Sequence, residues 1–108
     1  MATTIRSGIS DLVNALNKVR NNTTVAQEQS DLQKIINALF TLWQGVIYDQ
    51  LDNTDADYKA AIDSLNDAEK IATAALTDLN QVADAIKAAT AAAQAVDKVV
   101  SFAAKYLK

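Results

Sequence analysis

From Asp55 to Lys108 the chain contains neither glycine nor proline, and 17 of its 21 alanines lie in this half. Nothing in the covalent chemistry of that stretch opposes a helix, since the two residues that break or weaken one are missing and the best helix former is abundant. Elsewhere too, apolar residues recur at three- and four-residue steps, and no sustained two-residue alternation is found. That period belongs to helices rather than strands. The 108 residues are therefore read as one all-α domain, an up-down bundle of four helices.

The first helix carries Ile5, Ile9, Leu12, Leu16 and Val19 on one stripe, with Val13 beside it and Asp11, Asn14, Asn17 and Lys18 opposite. Between Arg20 and Asp31 the stripe lapses, and Asn21, Asn22, Thr23 and Thr24 supply turn formers and a cap. Thr24 with Gln27 and Ser30 with Gln33 each have capping-box spacing; the second helix is expected to start at Thr24. That helix is the most apolar segment, with Leu32, Ile35, Ile36, Leu39, Phe40, Leu42, Trp43, Val46, Ile47 and Leu51 around a thin polar stripe. It needs cover on several sides, so it belongs at the centre of the bundle or in a self-association interface. A second turn is expected at Asp52, Asn53, Thr54 and Asp55, with Thr54 as N-cap and Asp55 and Asp57 near the positive end of the next helix.

Past this turn, Tyr58, Ile62, Leu65, Ala68, Ala72, Leu76, Leu79, Ala83, Ile86, Ala89, Ala93, Val96, Val100, Ala103 and Leu107 keep a near-heptad rhythm. One helix of about 54 residues would run about 80 Å, against about 42 Å for a second helix of about 28 residues. Half of it would lie uncovered. A break near Thr77, Asp78, Leu79 and Asn80, the stretch richest in residues that compete with helix, resolves the mismatch and gives four helices. The alternative is three helices with one long C-terminal helix. The alanine ridge of the last helix permits close approach of another backbone, for which Gly45 is the one suited position on the second helix.

The chain has no cysteine and no histidine, and its net charge is −3. Thiolate chemistry, Ser-His-Asp and Cys-His catalysis, and imidazole or sulfur metal sites are thereby excluded, and no cofactor is implied. Lysines and arginines form no run, which argues against nucleic acid as a partner. The longest uncharged stretch, Ile35 to Tyr48, has 14 residues, short of the roughly 20 that span a bilayer. No apolar run follows Arg6, so no cleaved secretory signal is expected; the cytoplasm is the default location, with signal-independent export as the other route. Charge is segregated. Residues 1 to 27 sum to +2, with Arg6, Lys18 and Arg20 against Asp11; residues 28 to 57 sum to −5, residues 58 to 78 to −2, and residues 79 to 108 to +2.

Three carboxylate or nucleophile arrangements have competing structural explanations. Asp49, Asp52, Asp55 and Asp57 could offer oxygen ligands to a hard cation, but the glycine bend and the distal glutamate of a calcium loop are missing, and capping accounts for them. Asp63 and Asp67, one turn apart beside Lys59 and Lys70, read as a solvated face rather than an acid–base pair. Ser101 and Lys105 have serine–lysine spacing without a glycine loop to form an oxyanion hole. No catalytic, cofactor or metal residue is assigned, and the chain is expected not to be an enzyme.

The expected partner is another protein or a second copy of the chain, with Leu32, Leu39, Phe40, Trp43, Val46 and Ile47 as the contact surface. A membrane-active or lipid-binding bundle that opens to expose Ile35 to Tyr48 is the reading from another class, weakened by polar faces that are not strongly cationic. Trp43-Gln44-Gly45, in a helical chain of this size without cysteine, also resembles the WXG100 family of small secreted proteins. Tyr48-Asp49-Gln50-Leu51-Asp52 has the spacing of that family's Tyr-x-x-x-Asp/Glu export signature. The resemblance implies a dimerising helical hairpin exported without a cleaved signal, with its turn at Gly45. In that family the Trp-x-Gly lies in the turn and the signature near the carboxyl end, whereas here the apolar rhythm continues through Val46, Ile47 and Leu51.

Overall fold

The computed structural model describes residues 4–45 and 56–106, with side chains over 4–44 and 56–99. It is an all-α, up-down bundle of four helices: α1 (Ile5–Asn22), α2 (Ala26–Gly45), α3 (Ala56–Ala75) and α4 (Val82–Tyr106). The radius of gyration, 13.6 Å, is close to the roughly 13 Å expected of a compact chain of this length.

Each helix starts or stops for a local reason. Thr4 caps α1: its Oγ1 accepts from the Ser7 backbone N–H at 3.1 Å, and the Ser7 Oγ accepts in return from the Thr4 N–H at 3.2 Å. This reciprocal box uses serine at its third position, where the sequence patterns considered above use glutamine. The N–H of Thr23 closes the helix on the Val19 carbonyl. Thr23 then organises the entry to α2, accepting from the Val25 N–H at 3.3 Å, donating its hydroxyl to Glu28 at 2.7 Å, and receiving Gln29 Nε2 on its carbonyl at 2.8 Å. The expected Thr24–Gln27 box is not the cap, because Gln27 bonds Asp31 instead and the first helical carbonyl is that of Val25. Thr23 is the one buried polar residue among those described, and its partners explain how it tolerates burial.

The break between α3 and α4 falls where Thr77 to Asn80 predicted it, which excludes the three-helix alternative. Leu76 and Thr77 tighten the last turn of α3 by bonding back to Thr73 and Ala74. Asp78 is extended, and its carboxylate accepts from the Asn80 N–H at 3.0 Å, starting a short 3-10 turn, Leu79–Gln81, that leads into α4. The buried stripe departs from the near-heptad rhythm by one residue on both sides of this turn. In α3, Ala61 and Ala75 are buried where Ile62 and Leu76 were expected; in α4, Val82, Ala85 and Ala92 are buried beside the expected Ala89 and Val96, while Ile86 and Ala93 are half-buried and Leu79 and Ala83 exposed.

Neighbours in the bundle are not neighbours in sequence throughout. α1 packs on α2 and α3, and α4 packs on the same two, so α2 and α3 stand on one diagonal without touching among the described residues. The most extensive packing joins α3 to α4. There the buried positions are mainly alanine: Ala61, Ala68, Ala72 and Ala75 on α3, and Ala85, Ala89 and Ala92 on α4. The alanine ridge is thus used within this hairpin. The buried steps of α3, at 58, 61, 65, 68, 72 and 75, repeat every three and four residues, the spacing that keeps a seam in register along helices crossing at small angles.

α2 is a corner helix rather than a central one. Leu32, Ile36 and Leu39 are buried, and Ile35, Leu42 and Trp43 are partly buried against the core, all of this covered by α1 on one side and α4 on the other. The expected continuation of α2 through Val46, Ile47 and Leu51, and the turn at 52–55, lie outside the described residues.

Two stability measurements test these assignments. Thr23→Val, which strands the Val25 N–H and the Glu28 carboxylate, is expected to cost about 1–3 kcal/mol in urea unfolding, whereas Thr24→Ala stays within about 0.5 kcal/mol. Ala72→Leu is expected to destabilise by about 1–3 kcal/mol, because the α3–α4 contact has no room for the added methylenes.

Candidate interaction surface

Two contact chains run along the outer edge where α1 meets α2. At one end the Arg6 guanidinium lies 4.3 Å from the centroid of the Trp43 ring, and Phe40 stacks on Trp43 with centroids 5.9 Å apart and planes at 17°. At the other end Arg20 donates to the Gln33 side-chain oxygen, and Gln33 Nε2 passes the chain on to Asn37 at 2.9 Å. The pairing of residue 6 with 43 and of 20 with 33 is the antiparallel register of the hairpin. Helical spacing puts Gln33, Asn37, Phe40 and Gln44 on one flank of α2, beside the buried stripe of Leu32, Ile36 and Leu39.

Phe40 is 52% exposed, one of three large apolar side chains so placed among the described residues, with Val25 and Leu79 at the opposite, hairpin-turn end. Trp43 is half-buried, one part of its ring system reaching the core and another carrying Arg6 and Phe40. Cation–π and offset aromatic contacts of this kind contribute about 0.5–1.5 kcal/mol each. They fix two flat side chains in place, so a partner meeting them would lose less conformational entropy than one meeting free rotamers.

The other predicted contact residues divide. Leu32 and Leu39 are fully buried among the four helices and present nothing to an outside partner, because the 3-4 stripe of α2 is already filled by α1 and α4. Val46 and Ile47 lie outside the described residues. Phe40 and Trp43 remain. Arg6 joins them as a residue that sequence reasoning placed only within a charge sum; antiparallel pairing of the first two helices was the signal that could have brought it opposite Trp43.

The described carboxylates do not gather into a site. Asp63 and Asp67 are exposed on α3, with Lys59 and Lys70 exposed beside them. Asp57 pairs with Lys98 of α4 at 3.4 Å, with both side chains more than half exposed, an ion pair worth little in water. Asp49, Asp52 and Asp55 lie outside the described residues, as do the side chains of Ser101 and Lys105. Among the described residues no group of three or more acids could hold a metal ion. An open groove of about 190 Å³ between α1 and α3 is lined by Asp11, Asn14, Ala15, Lys18, Glu69, Thr73 and Leu76, where charged rims surround a small apolar floor. None of the described helices is long and apolar enough to cross a membrane.

No family model, no curated protein and no solved structure matches the chain. Trp43, Gln44 and Gly45 are helical in α2, whereas the WXG100 resemblance implies a turn at Gly45.

The aromatic–cation stack is testable by itself. In a double-mutant cycle of Arg6→Gln and Trp43→Leu, urea unfolding is expected to give a coupling of about 0.5–1 kcal/mol, and Arg6→Gln alone to change Trp43 fluorescence without loss of helix signal.

Proposed function

We propose that this protein is a non-enzymatic helical bundle that acts by binding protein, either another chain or a second copy of itself, through the outer edge of α1 and α2. The observation that carries this reading is the exposed Phe40 stacked on Trp43 beneath Arg6. Tryptophan, arginine and other aromatics are the residues on which interface binding energy concentrates. Elsewhere the described large apolar side chains are almost all turned inward, so an aromatic left half in water on a rigid helix stands apart. Polar side chains such as Asn37, Thr41 and Gln44 surround it, as in a rim that excludes water around a small apolar centre.

The lack of histidine and cysteine removes the commonest acid–base and nucleophilic groups, and the described acids of α3 stand in solvent with lysines around them. Those features fit a binding role better than a catalytic one.

Size-exclusion chromatography with light scattering, over a wide range of concentration, separates the two kinds of partner. A dimer that persists on dilution and is lost in Phe40→Asp is the result expected of self-association. If the chain is monomeric throughout, a photoreactive phenylalanine at position 40 is expected to cross-link a partner in cells, and one at position 63 not to. Association unchanged by Phe40→Asp, or cross-links no more frequent from position 40 than from 63, sets the reading aside.

A further inference from the structure

We draw no further inference here: the strongest candidate, the exposed Phe40 face of α2 at the α1–α2 edge, belongs to the surface already proposed for protein binding, and nothing in the structure shows what covers it.

Discussion

The bundle depends on the chain turning at Asp78. Without that turn the second half would be one helix about twice as long as anything available to cover it, and its alanine stripe would have no partner. Alanine buries little apolar area, so a stripe of alanines stabilises a fold only where two backbones come close enough for dispersion contacts to add up. Folding α3 back on α4 supplies that: Ala61, Ala68, Ala72 and Ala75 face a second row of small residues rather than a gap. The extended Asp78 with its capped Asn80 N–H is thus the local event that turns high helical propensity into tertiary structure.

The order of neighbours sets what remains outside. Because α2 touches α1 and α4 but not α3, its apolar residues are shared between two contacts, and Phe40, placed to one side of the buried stripe, is left at the rim. The alanine-dense hairpin and the leucine- and isoleucine-rich hairpin therefore make unequal surfaces. The described exposed side chains of α3 and α4 include alternating acids and lysines, while the α1–α2 edge carries arginines, amides and an aromatic pair.

Much of this was legible in the chain. The stripe of Ile5, Ile9, Leu12, Leu16 and Val19 is buried as its spacing requires, and the break came where Thr77, Asp78 and Asn80 compete with helix. The misses lie where local patterns do not say how neighbouring elements meet. Thr23, the C-cap of α1, rather than Thr24 organises the entry to the second helix: its buried side chain accepts from the Val25 N–H and donates to Glu28. The near-heptad rhythm gives Ile62, Leu76, Ala83, Ile86 and Ala93 a place in the seam, but the residue before each is the buried one, Ala61, Ala75, Val82, Ala85 and Ala92, while Ala68, Ala72, Ala89 and Val96 are buried as the spacing requires. Spacing alone groups Leu32 and Leu39 with Phe40 and Trp43 as one surface, since a sequence gives the angle between side chains but not the direction from which neighbours arrive.

Aromatic residues at the rim of a helical bundle have two physical explanations, surplus core and partner contact, and the edge of α1 and α2 separates them. Surplus core would leave Phe40 loose, free to sample rotamers that fold it back onto the apolar surface. Here it is stacked on a tryptophan that is itself clamped by a guanidinium, so the side chain is held out in one orientation. Holding it there forgoes burial, and under the proposed role of this edge the compensation lies in lower entropy loss on binding. The same logic applies to Arg20, whose bond to Gln33 holds a cation at the far end of the same edge. The aromatic pair at one end of this edge and Arg20 at the other are the features on which its proposed protein-binding role rests.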